Sequence, residues 1–210
     1  MQKIEPFQYG QYYHIYNCGI NGENLFLEAA NYEYFLSLYD KYIYPVADTY
    51  AWCLMPNHFH LMVRIKTEEE IEATSPDRVL NPVRANKTVK PTHQYFSNLF
   101  NSYTQAFNKR YNRHGGLFKR PFKRKSIHEK SYFRNLIIYI HNNPVHHGFS
   151  DDAVDYPWSS YLTCVSVKTT HLHRETVIGW FDNLANFKLL HQTQDNIMSL
   201  EDWLYSPDRV

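Results

Sequence analysis

"DTYAWCLMPNHFHLMVRIK", residues 48–66, is the stretch that decides the fold. Its two halves, 48–55 and 58–66, are apolar runs with β-branched and aromatic residues, and Pro56-Asn57 between them is a tight-turn pair. Two strands joined by so short a turn make an antiparallel hairpin.

The flanking segments supply the other elements. "YYHIYNCGI" (12–20) reads as a strand from about Tyr12 to Tyr16 that closes on turn residues, and "NYEYFLSLYDKYI" (31–43) spaces Tyr34, Phe35, Leu38 and Tyr42 as one helical face. "HQYFSNLFNSYTQAFNKRY" (93–111) repeats Phe96, Leu99, Phe100, Tyr103 and Phe107 at helical spacing, with "RHGG" as its C-terminal stop. Pro121 restricts "LFKRPFKRKSI" (117–127) to an edge strand. "SYFRNLIIYIHNN" (131–143) puts Phe133, Leu136, Ile137 and Ile140 on one helical face, and Pro144 is expected to end that helix. A last helix is expected over "ETVIGWFDNLANFKLLH" (175–191).

Residues 67–91 carry no sustained period and read as a loop with room for a short helix. The order of elements predicts an α+β domain whose antiparallel sheet is covered by helices, although strand order is not legible from pattern.

A chain of 210 residues, 43% hydrophobic, can bury one sizeable core. The start carries Lys3, Glu5 and Pro6 where a secretory signal needs an apolar run, and no stretch approaches the ~18 apolar residues of a membrane span. A soluble, cytoplasmic protein without a membrane partner is expected. Cys18, Cys53 and Cys164, odd in number and without a CxxC pair, point to ordinary buried thiols rather than to a disulfide scaffold or a thiolate zinc site.

The net charge of +1 conceals an asymmetry. Between Asn101 and His128 there is no acidic residue, while Lys109, Arg110, Arg113, Lys119, Arg120, Lys123, Arg124 and Lys125 all fall there. Such a stripe is either a solvated face or a contact surface for phosphates, with Tyr111, Phe118 and Phe122 available to stack on unpaired bases.

His58 and His60, two apart on a strand, project to the same face about 6.5 to 7 Å apart at Cα, which suits chelation of one metal ion. The spacing alone is a weak signal. It recurs at His171 and His173, and it equally fits polar histidines at a strand end. Tyr139 and Asn143, four apart, share one helical face beside the apolar stripe. Asn143 offers an oxygen to a hard ion such as Mg²⁺ or Mn²⁺, or else caps the helix end before Pro144. A chelating pair, a helix-borne phenol and a basic stripe together suit attack on a nucleic-acid phosphodiester, with a metal to polarise the phosphate. Tyr103 competes as nucleophile but falls on an apolar stripe, and Tyr132 shares the edge of Tyr139.

Taken in order, "YYHIYNCGIN", "MPNHFHLMV", "NSYTQAFNKRYNRHGGLFKRPFKRKSI", "YIHNNPVHHG" and "YPWSSY" resemble the single-tyrosine HUH transposases, especially the REP-associated branch. The resemblance covers roughly residues 10–162. It implies a ferredoxin-like catalytic domain over 1–162, with 67–91 as an insertion and 163–210 as an accessory C-terminal extension. It implies that His58, His60 and Asn143 hold a divalent metal, Mg²⁺ or Mn²⁺. Tyr139 would then attack hairpin-associated single-stranded DNA, forming a 5′-phosphotyrosine that a 3′-hydroxyl resolves by strand transfer. The branch further implies a monomer rather than an obligate dimer. Two other readings stand beside it: a domesticated relative that binds structured single strands without cutting, and a hydrolase that activates water and has no need of Tyr139.

Overall fold

The computed structural model describes residues 6–73 and 90–192. Strands β1 (Tyr12–Cys18), β2 (Ala47–Met55), β3 (His58–Ile65) and β4 (Lys123–Ile127) form one antiparallel sheet in the order β2-β3-β1-β4. Helix α1 (Ala29–Tyr42) joins β1 to β2, and α3 (Thr92–Arg110) lies between β3 and β4. This is the βαββαβ arrangement of a ferredoxin-like domain. The expected hairpin forms, with Pro56 and Asn57 as its turn. Of residues 67–91, the first part folds as the expected short helix, α2 (Glu68–Ala73), and residues 74–89 lie outside the described residues.

Strand alternation sorts the core into two layers. Tyr13 and Ile15 of β1 and Phe59, Leu61, Val63 and Ile65 of β3 face α1 and α3, where they pack with Phe35, Phe96, Leu99 and Tyr103. The residues between them face the other way. There they meet α4 (Ser131–His146), whose Phe133, Leu136, Ile137 and Ile140 are buried. Phe59 therefore anchors one layer while its neighbours His58 and His60 open onto the other.

The described C-terminal residues belong to this second layer. Short helices α5 (Tyr161–Val165), α6 (Arg174–Trp180) and α7 (Leu184–Gln192) bury Cys164, Val177, Phe181 and Phe187 against α4. "YPWSSY" has a clear structural use: Leu54 N–H donates to Trp158 O and Ser160 N–H to Trp52 O, so this segment pairs along the outer edge of β2. At the opposite edge β4 is only five residues long and begins Lys-Arg-Lys, two features that discourage further strand pairing.

Three boundaries differ from the sequence-based expectation. Pro144 sits inside α4, which runs on to His146; the bond lost at proline falls in the last turn, and His147 N–H still reaches Asn143 O. The helix expected over 175–191 breaks between α6 and α7, where Asp182 takes a positive φ of 67°. Helix α3 stops at Asn112 (φ 48°), before the glycines, because asparagine also tolerates the left-handed region.

A buried polar chain ties α7 to α4. His191 Nδ1 donates to Phe187 O, which leaves His191 Nε2 to accept from His141 Nδ1 at 2.9 Å; His141 Nε2 then accepts from the Ser160 hydroxyl at 2.7 Å. Ser160 Oγ in turn accepts Trp52 N–H, so every group is satisfied with both imidazoles neutral. Burial lowers both pKa values, that of His191 to about 4. Between that value and the usual 6.5 the unfolded chain binds more protons than the native one, so stability should fall as pH drops through this window. In urea titrations at pH 7, His191→Ala should cost about 2–4 kcal/mol through the cavity and the unpaired His141 N–H. It should also flatten the acid-side slope, and an unchanged slope would refute this account.

Candidate active site

His58 and His60 lie on β3, a central strand, and Tyr139 and Asn143 on the helix that crosses the same face. The structure brings all four together. Asn143 Oδ1 is 2.9 Å from His58 Nε2, and the Tyr139 ring meets the His60 ring edge-on, with centroids 5.3 Å apart. The two imidazoles stand nearly perpendicular at 5.3 Å. Asn143 is fully buried within α4, so its alternative role as a cap at the helix end does not arise.

The donor geometry around His58 is informative. Its Nδ1 lies 2.7 Å from Asn57 Oδ1 in the turn and its Nε2 2.9 Å from Asn143 Oδ1, so a neutral ring, with one hydrogen, can donate to only one of these two oxygens. Burial lowers the pKa of His58, which favours that neutral form. At one of the two contacts acceptors thus face each other, and among the described residues Asn143 Nδ2 is buried without a hydrogen-bond partner. A rotated amide would relieve the clash of lone pairs, and so would a cation shared by the two atoms. Among the described residues no three His, Cys, Asp or Glu side chains converge as a metal site. A cation here would therefore take Asn143 Oδ1 beside the two imidazoles, a mixed N/O set compatible with a divalent ion such as Mn²⁺.

Two neighbours were not legible in the sequence. His14, on β1, places Nε2 2.9 Å from His60 Nδ1 and stacks on Tyr16 at 4.8 Å. His147, just past α4, brings its ring to 4.9 Å from His58. Strand alternation hints that His14 shares a face with Tyr12 and Tyr16, but only the β1–β3 register, with Tyr16 opposite His60, delivers it to the site.

Tyr139 is 1% exposed. The competing tyrosines stand elsewhere: Tyr103 is buried in the α1–α3 layer with its hydroxyl donating to Leu25 O, and Tyr132 packs at the margin of the α4 core.

The basic stripe does not act as one surface. On β4, Lys123 and Lys125 pair with Tyr16 and His14 and so lie on the Tyr139 side of the sheet. Arg124 points the other way, its guanidinium 4.3 Å from the Phe7 ring centroid. It lines a cleft of about 680 Å³ with Lys119, Arg120, Phe100, Phe118 and Phe122. Arg110 and Arg113 are paired with Glu28 and Glu23, and Lys109 is exposed in the last turn of α3.

No protein-family model matches the chain. A protein of Haemophilus influenzae named as a REP-associated tyrosine transposase is 28% identical over 114 residues, which span 54% of this chain and 58% of that relative. In fold, the chain is similar to a REP-associated tyrosine transposase solved bound to a REP hairpin, with a TM-score of 0.55 and 15% identity, over 79% of this chain and 86% of the other. No described helix is long and apolar enough to cross a membrane. The ordered motifs, the ferredoxin-like sheet under a tyrosine-bearing helix and these two likenesses agree: the chain is similar to REP-associated tyrosine transposases in sequence over about half of its length and in fold over most of it.

Proposed function

We propose that this protein is a metal-dependent single-stranded DNA endonuclease and strand transferase acting on hairpin-associated DNA. The observation that carries the reading is the convergence of His58, His60, Asn143 and Tyr139 on one face of the sheet. The relative solved with a REP hairpin supports the substrate class.

His58, His60 and Asn143 would hold the divalent ion, Mg²⁺ or Mn²⁺, which when bound draws charge from the scissile phosphate. The Tyr139 oxygen forms the new bond to phosphorus, the bond to the 3′-oxygen breaks, and the phenolic proton is lost as the 3′-oxygen gains one. The 5′-phosphotyrosine conserves the phosphodiester, so a 3′-hydroxyl of another strand can reverse the step and rejoin DNA. All four residues come from one chain, so a monomer suffices for a complete site. Lys123 and Lys125 are placed to hold the backbone beside it, and the Arg124 cleft to hold flanking single strand.

One observation favours a second reading, a non-cleaving binder of structured single strands: the burial of Tyr139. Incubation with a labelled REP-type hairpin oligonucleotide and Mn²⁺ separates the two. A protein–DNA adduct that survives denaturation supports the transferase, binding without cleavage supports the binder, and cleavage without adduct points to a water-using hydrolase.

Neutralising Lys123, Arg124 and Lys125 together should weaken hairpin binding about 10- to 100-fold near 0.15 M salt and flatten the salt dependence by two to three phosphate contacts' worth. Fluorescence anisotropy across a salt series measures both. An unchanged slope would reduce this strand to an ordinary solvated edge.

A further inference from the structure

We propose that His14 is a positioning residue that holds His60 ready to take a divalent cation, an inference that rests on the metal-dependent reading above. His14 Nε2 and His60 Nδ1 are 2.9 Å apart, and their side chains are 1% and 3% exposed. The His14 ring lies between neighbours that fix its plane: Tyr16 stacked at 4.8 Å and 22°, and His60 at 5.1 Å and 15°. Only one hydrogen fits between the two nitrogens. When His60 Nδ1 donates it, His60 Nε2 is left with a bare lone pair for a cation, and the ring cannot turn without breaking the contact.

A cation on Nε2 makes the opposite N–H a stronger donor, so the bond to His14 strengthens when the site is loaded. His14 thus favours the loaded state more than the empty one. The cost is visible as well: with Nε2 accepting, His14 carries its own hydrogen on Nδ1, which is buried without a partner among the described residues.

The test compares the full chain with its His14→Phe and His14→Gln variants. Phenylalanine keeps the stack on Tyr16 but offers no acceptor, whereas the glutamine amide oxygen can take the place of Nε2. Mn²⁺ affinity, read by electron paramagnetic resonance of the free ion, should fall about 10- to 100-fold in His14→Phe, the range for loss of a partner behind a ligating histidine. It should return to within a few-fold of the parent in His14→Gln. The unfolding midpoint of metal-free His14→Phe should stay within a few degrees of the parent, because one stranded nitrogen replaces another. Unchanged affinity in His14→Phe, or equal loss in both variants, would overturn the role of His14 alone. Failure of the unaltered protein to bind Mn²⁺ would overturn the metal reading, and this inference with it.

Discussion

Tyr139→Phe should abolish the covalent protein–DNA adduct, with hairpin cleavage down on the order of 10⁴-fold or more, as for loss of an enzyme's nucleophile. The substitution removes only the hydroxyl. The ring keeps its edge-on contact with His60 and its place in the buried layer under α4, so folding and hairpin affinity should stay within about two-fold of the parent. Denaturing gels with end-labelled oligonucleotide measure the adduct, and anisotropy measures binding. If the adduct persisted in Tyr139→Phe, the nucleophile would lie elsewhere, and Tyr132, seven residues earlier on the same helix, would be the first to replace.

His58→Ala should lower cleavage on the order of 10³-fold while binding changes less than about three-fold, because a side chain that holds the ion matters to the transition state rather than to docking. His58 is the better histidine to truncate. It is half-buried at the mouth of the layer, whereas His60 lies against Tyr139 and His14 and its loss would leave a cavity. Chelation should silence the parent protein to the same degree, and added Mn²⁺ should restore the parent but not His58→Ala. Cleavage that persisted in excess chelator would exclude the assigned role of His58, His60 and Asn143.

Much of this architecture is local, and local features are what a sequence displays. The β2–β3 hairpin is written in the Pro56-Asn57 turn, and the shared face of His58 and His60 follows from the two-residue period of any strand. The spacing of Tyr139 and Asn143 likewise puts them on one face of α4. What escaped is long-range. His14 reaches His60 only through strand register, which links positions 46 apart and leaves no periodic trace in either strand. The basic stripe reads as continuous along the chain, yet β4 turns Lys123 and Lys125 to one side of the sheet and Arg124 to the other. The broken helix over 175–191 escaped for a different reason: Asp182, in the left-handed region, and Asn183, whose side chain caps α7 by accepting Asn186 N–H, interrupt an apolar spacing that runs on across them. "YPWSSY" showed its composition but not its task, since pairing with the edge of β2 is a contact across more than a hundred residues.

A tyrosine that is 1% exposed meets a phosphate only when the groups packed over it make room. In the proposed reaction the side chains packed around Tyr139 would yield, while α4 itself, tied to α7 through His141 and His191, keeps Asn143 beside His58. The protein would then behave as an interlocked tool. Strands that merely brush the lysines of β4 would leave it sheathed, and only a substrate whose docking energy can shift the side chains over Tyr139 would reach the blade. Selectivity of cutting would come from the work of unsheathing as much as from the reading of bases.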